Sequence, residues 1–448
     1  MHRLLLLGLL AACGDDARSA REQRVIDTLA EDNHVWGQRD PELVMLKLAK
    51  MQRNDYEWMR GTAGLYWRDV ADGDPRVATA FPQPRVLIIG DPHPENLGTF
   101  RAADGTMLVD WNDLDAAGYG PAIADLRRLA VGMVIGTDGN GDDQELVSRI
   151  VHGYTAQIAM HANGGTALQL GTGVHPLIDS ELADARVEGD RRLALDELAP
   201  VMAGARVLAV GDLEDVGKDG VYEDTVRAVD AAEAARIDAA VAQWAARRGE
   251  AAIVKLRARR IGAGVASYAA LRYNVVLEGP TPALADDVLI ELKEGRDGSF
   301  LDGAITLRDP TWVSPAERVA DAQRRVQARG DADVRLGFAD VSGLSFKIRD
   351  REAYQRGLAH SAIDDLDRQD LLAFGEILGR RLASAHGASL TGQGLPGWMA
   401  IAPALAGREL ELADELSVTA LAEAAQIRAD HDAFEDADLA ALVLPRAH

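Results

Sequence analysis

The chain of 448 residues carries 48 basic and 71 acidic side chains, a net charge of −23, with 43 glycines, 16 prolines and one cysteine. At roughly 150 residues per domain the length suits about three units, or two lobes with insertions, and 47% hydrophobic residues suffice for a packed core and exclude global disorder. The acidic surplus argues against nucleic acid or anionic lipid as a partner, the single cysteine excludes an internal disulfide, and no Cys/His cluster has zinc spacing.

The chain opens on Met1-His2-Arg3, then Leu4 to Leu10 broken only by Gly8, then Ala11-Ala12-Cys13. A charged start, a short apolar run and small residues make a secretory signal. Leu10-Ala11-Ala12-Cys13 resembles a bacterial lipobox, with the lone cysteine where a lipid is attached. Residues 1–13 are therefore expected to be a signal peptide and lipobox. The protein is then a membrane-anchored lipoprotein facing outside the cytoplasm, held only through Cys13; with a mis-assigned start codon it is cytoplasmic. No other apolar run approaches the ~20 residues of a spanning helix. Residues 14–35 read as a polar tether, and 41–70 as helix from apolar residues at three- and four-residue spacing.

Arg85-Val-Leu-Ile-Ile89 is an apolar run short enough for a buried strand, and it delivers Asp91 into a turn with Asn96 five positions later. Residues 98–101 read as a second strand, Asp104-Gly105 as a hairpin turn, and Met107-Leu108-Val109 as the strand that returns Asp110 to the same neighbourhood. A carboxylate that accepts the proton of an attacking hydroxyl, with an Asn and a second carboxylate to hold magnesium on nucleotide phosphates, is what phosphoryl transfer needs. The alternative is a strand-ending turn in which Asp and Pro serve geometry alone.

Gly90-Asp91-Pro92-His93-Pro94-Glu95-Asn96 resembles the catalytic loop of protein-kinase-like phosphotransferases, and Val109-Asp110-Trp111 their magnesium-binding strand end. The aminoglycoside-phosphotransferase type is the nearer pattern. Asn112-Asp113-Leu114-Asp115, Gly120-Pro121 and Asp125-Leu126-Arg127-Arg128-Leu129-Ala130 further resemble the bacterial family DUF2252. The resemblance implies Asp91 as catalytic base, Asn96 and Asp110 as metal ligands, Asp125 as a brace from a helix, and Asp113 and Asp115 as further metal or substrate contacts. His93 is assigned no chemistry.

Residues 124–163 and 222–247 read as helices. From about 251 the pattern turns strand-like, with short β runs at 275–277 and 288–290 around a Gly-Pro-Thr-Pro turn. Ile261-Gly262-Ala263-Gly264 suits a glycine-rich loop between strands. Lys293 ends a third strand, and a helix over 314–328 carries Glu317 in its first turn, where a carboxylate can meet Lys293. Strands follow at 333–349, an amphipathic helix at 370–386 and an acidic helical tail after 408.

Glycine loop, strands, lysine and helix follow the order of a kinase nucleotide lobe, yet they come after the Asp91 hairpin. The expected fold is thus α+β, two-lobed and protein-kinase-like, apparently circularly permuted. Residues 36–250 form a helical lobe with the catalytic hairpin (85–130), 251–352 a β-rich nucleotide lobe, and 353–448 a helical completion of the large lobe.

The expected activity is transfer of a phosphoryl group from ATP, with Mg²⁺ or Mn²⁺, to a hydroxyl of a small-molecule acceptor. The acidic balance favours a neutral or cationic acceptor over a polyanion. Two alternatives remain: an exported, non-catalytic kinase-like ligand-binding lipoprotein, and a two-metal phosphoesterase, for which Asp138-Gly-Asn-Gly-Asp-Asp143 lacks the histidine that such sites use.

Overall fold

The structure, a computed structural model, describes residues 14–137, 142–210, 225–297, 304–306, 312–391 and 393–444. Cys13 with its lipobox, and Asp138 to Gly141, lie outside the described residues.

Four helices come first: α1 (Gly14–Arg39), α2 (Pro41–Met51), α3 (Asp55–Gly61) and α4 (Ala63–Asp72). The expected tether is corrected here. Residues 14–35 belong to α1, which buries Val25, Leu29 and Trp36, because a polar helix with a sparse apolar stripe gains its stability from packing rather than propensity. Asp40 caps α2, with Pro41 in its first turn.

Strands β1 (Arg85–Ile88), β2 (Leu97–Arg101), β3 (Met107–Trp111) and β4 (Gly118–Pro121) follow. β2 and β3 form the hairpin over Asp104-Gly105, and β1 pairs with β4. Helices α5 (Ala122–Gly136), α6 (Asp143–Ala162), α7 (Pro176–Asp190) and α8 (Leu193–Leu198) lead to the short strands β5 (Val201–Met202) and β6 (Ala205–Arg206).

A six-stranded antiparallel sheet is built from β7 (Thr225–Ala228), β8 (Val254–Ile261), β9 (Arg272–Leu277), β10 (Val288–Gly295), β11 (Gly337–Val341) and β12 (Leu344–Asp350), in the order β11-β12-β10-β9-β8-β7. Between its strands come α9 (Ala231–Arg247), opened by an Asp230/Glu233 capping box, and α10 (Pro315–Val326), capped by Ser314. The β-rich unit therefore begins near 225, not at 251: β7 pairs with β8, and α9 supplies the sheet's own core through Ile237, Val241 and Trp244.

The chain closes with α11 (His360–Asp364), α12 (Arg368–Ala388), α13 (Trp398–Leu405), α14 (Glu409–Phe434) and α15 (Leu439–Val443). α5, α6, α12 and α14 share the largest core with β1 and the N-terminal helices. Among the described residues no helix is long and apolar enough to cross a membrane.

Two cores thus meet at one seam. Side chains alternate along a strand, and in β9, β10 and β12 one set (Tyr273, Val275, Ile290, Leu292, Phe346, Ile348) packs on α9. The other set (Arg272, Asn274, Glu291, Lys293, Lys347, Arg349) faces the β2–β3 hairpin and the loop after it. Register places Lys293 between Arg272 and Lys347, and Glu291 between Asn274 and Arg349. The far end of this charged face is closed by Leu195 and Leu198 of α8 on Ala258, Val276 and Leu289.

Candidate active site

The loop after β1 is fixed from three sides. Gly90 has φ +87°, and a Cβ there would fall 2.1 Å from the Ala116 carbonyl oxygen, so only glycine permits the turn and the close approach together. Asp125 on α5 accepts hydrogen bonds from the Ile89 and Gly90 amides, both at 3.0 Å, and its Oδ2 lies 3.0 Å from His386 Nε2 on α12. Asn96 donates from Nδ2 to the Asp91 carbonyl at 2.7 Å, which leaves Oδ1 as its remaining side-chain acceptor.

Asp91 is held by its Oδ1, which accepts from Arg128 Nε at 2.8 Å; Arg128 in turn donates to the Met59 carbonyl. Its Oδ2 lies 3.8 Å from His93 Nε2. Burial raises the Asp91 carboxyl above the ordinary carboxylate range, and the Arg128 guanidinium opposes but does not cancel that rise. Burial, with Arg60 and Arg128 nearby, pushes the His93 imidazole well below its ordinary range, so it is neutral.

Across the seam the Lys293 ammonium, almost fully buried, contacts Asp113 Oδ2 at 2.8 Å and Asp115 Oδ2 at 2.6 Å. Both carboxylates are about a third exposed. Burial alone would raise Asp113, but Lys293, Lys347 and Arg272 outweigh it and hold the group well below its usual value. Asp91, Asn96, Asp113, Asp115 and Gly264 line one cavity of about 140 Å³.

The glycine loop between β8 and β9 roofs this cavity. Gly262 and Gly264 both sit at positive φ, +88° and +77°, and Lys50 on α2 reaches the Gly262 carbonyl at 3.5 Å. The N-terminal helices also grip the sheet directly, through Arg39 on Glu294 at 2.7 Å and Arg259 on Asp40 at 3.1 Å.

Asp110 and Glu317 are not brought to the site. Asp110, fully buried, spends both oxygens: Oδ1 on Arg381 of α12 (2.6 Å) and the Trp111 amide (2.8 Å), Oδ2 on the Ala328 amide (2.8 Å). Strand alternation turns it toward α12, so its expected metal-ligand role is corrected to a structural one, and the carboxylates offered to the cavity are Asp113 and Asp115. Glu317 does not meet Lys293 either. Its Oε2 accepts from the Val313 amide at 2.6 Å, closing the start of α10. The helix serves the site instead through its neighbour Arg318, which is fully buried and donates to the Ala117 and Asp115 carbonyls, fixing the loop that presents Asp113 and Asp115.

Among the described residues no three His, Cys, Asp or Glu side chains converge to hold a metal by themselves. The hard-oxygen donors Asn96, Asp113 and Asp115 nevertheless suit Mg²⁺, which is commonly held by one or two carboxylates together with substrate phosphates. Asp142 and Asp143, from the element considered for a phosphoesterase, cap and open α6.

The fold and site define a mixed α+β protein with a charge-lined cleft between a hairpin and an antiparallel sheet. The family model described as an uncharacterised protein conserved in bacteria (DUF2252) matches residues 39–437, and the chain belongs to that family. No curated protein and no solved structure is similar enough to match it.

Proposed function

We propose that the protein is a kinase-like phosphotransferase that moves a phosphoryl group from a magnesium-bound nucleoside triphosphate, ATP in the simplest case, to a hydroxyl of a small-molecule acceptor. The observation that carries the reading is the meeting of Lys293 with Asp113 and Asp115, 180 and 178 positions away in sequence, two carboxylates that line the same cavity as Asp91. In a permuted kinase-like order the hairpin and the lysine strand are far apart in the chain and must be opposed in space. This pair is opposed.

Asp91 Oδ2 accepts the acceptor hydroxyl proton as the oxygen attacks the terminal phosphorus. The bond from that phosphorus to the bridging oxygen breaks, and the nucleoside diphosphate leaves with the bond's electrons. Arg128 holds Oδ1, so the free oxygen is presented in one orientation. Burial, by raising the Asp91 pKa, makes its carboxylate a better base than that of an exposed aspartate. Asn96, Asp113 and Asp115 would hold the magnesium, which supplies charge neutralisation on the phosphates when bound. Lys293 exchanges its two carboxylate contacts for phosphate oxygens.

The purified protein with Mg²⁺ and ATP should release ADP as the terminal phosphoryl group passes to water or to an added polyol. Asp91→Asn should lower that turnover by a hundredfold or more with the fold intact by circular dichroism, the size expected for loss of a general base. Turnover within a few-fold of wild type in Asp91→Asn contradicts the assignment.

A further inference from the structure

A second cavity of about 300 Å³ adjoins the first and shares Arg60, Asn96, Asp113 and Gly264 with it. Eight cationic side chains and two carboxylates line it, in a chain whose net charge is −23. Five of the cations, Arg260, Arg272, Lys293, Lys347 and Arg349, come from alternate positions on β8, β9, β10 and β12, so the sheet itself aims them at one volume.

Glu291 at the centre of that face does not neutralise them. It accepts from Arg260 at 2.5 Å and from Arg349 at 2.8 Å, with Arg272 at 3.8 Å, so a single buried carboxylate organises three guanidiniums. Lys347 has no carboxylate within salt-bridge distance among the described residues. Its nearest acceptors are the Asn112 carbonyl at 3.5 Å and the Gln323 side chain at 3.4 Å. Burial and Arg349, with Lys293, lower its pKa to about 8 against the opposing pull of the Asp113 and Asp115 carboxylates. The Arg272 Nε is buried without a hydrogen-bond partner.

A buried cation such as Lys347, with no carboxylate in contact, is costly, and guanidinium forks match phosphate oxygens. The volume corresponds to about ten waters at ~30 Å³ each, which suits a chain of phosphates better than one. We propose that this chamber binds the polyphosphate group of a ligand, two or more linked phosphates, against the charged face of the sheet. The ligand is thus strongly anionic, whereas the composition of the whole chain favours a neutral or cationic one. Whether the phosphates belong to the donor or to a second substrate rests on the phosphotransferase reading; their binding does not, because it needs no turnover.

Calorimetric titration with tripolyphosphate tests this. Wild type should bind it saturably and more weakly as salt rises. Lys347→Met and Arg272→Gln should each weaken binding at least tenfold. Lys347→Met should melt no lower than wild type, since it removes a buried cation with no ion-pair partner, so it remains informative if Arg272→Gln fails to fold. Displacement of tripolyphosphate by ATP assigns the chamber to the donor, and simultaneous binding of both assigns it to a second, phosphorylated substrate. No saturable binding by wild type, or undiminished binding by folded Lys347→Met, overturns the proposal. Tripolyphosphate binding without any Asp91-dependent turnover leaves the chamber and removes the phosphotransferase reading; turnover without tripolyphosphate binding does the reverse.

Discussion

The two faces of the six-stranded sheet are made by the same strands and differ in everything else. Toward α9, Tyr273, Ile290, Leu292, Phe346 and Ile348 form an apolar core. Toward the hairpin, Arg272, Glu291, Lys293 and Lys347 are as buried as that core and are charged. An antiparallel sheet commonly packs one face and solvates the other. Here the polar face is covered by the hairpin, α8 and α10, so its charges are kept out of water. A fold gains little from buried ion pairs compared with apolar packing, and the proposed phosphate site accounts for a charged face kept buried opposite a good apolar one.

The largest expected effects come from cutting each face at its centre. Phe346→Ala should cost about 3–5 kcal/mol through the cavity it leaves. Glu291→Gln should cost a similar ~3–5 kcal/mol, because it strands three guanidiniums without their shared carboxylate. Denaturant unfolding in the presence of tripolyphosphate separates the two: the added anion should recover more of the loss in Glu291→Gln than in Phe346→Ala. Equal recovery would mean that the two faces do not differ in the way described.

A second contrast lies between two fully buried glutamates. Glu291 would be raised by burial, but Arg349, Arg260 and Arg272 hold it well below its ordinary value. Glu423, on α14 in the helical core, is raised by burial to about 7, with Asp69 adding to the rise. Between about 4.5 and 7 the folded state therefore binds more protons at Glu423 than the unfolded chain, and its contribution to stability is lost as pH climbs through that window. Glu423→Gln should accordingly be more stable than wild type at pH 8, by up to about 3 kcal/mol, and should show a flatter dependence of stability on pH between 5 and 8. A variant no more stable than wild type at pH 8 would place the Glu423 titration elsewhere.

Much of this was legible in the sequence where local signals were strong. The apolar run before Asp91, the Asp104-Gly105 turn and the Gly262/Gly264 pair each carry a short-range physical cause, and the strand, hairpin and loop they mark are where the pattern puts them. Helix α1 was missed because its buried stripe is thin and its surface polar. The roles of Asp110 and Glu317 depend on which way a side chain turns at a strand end or a helix start, and tertiary partners decide that. Arg128, Arg318 and the cationic face were missed for a related reason: Glu291-x-Lys293 and Lys347-x-Arg349 alternate as a solvated face would, and only the covering elements make them buried.

The central claim is that Lys293, Asp113 and Asp115 form the phosphate end of a nucleotide site, and magnesium dependence tests it most directly. Titration of ATP into wild type with and without Mg²⁺ should show at least tenfold tighter binding with the metal, about 1.4 kcal/mol. Asp113→Asn/Asp115→Asn, which keeps the shape of both side chains, should bind ATP with the same affinity in either condition. Equal affinity with and without Mg²⁺ in wild type, or a full metal effect in the double variant, would contradict the account.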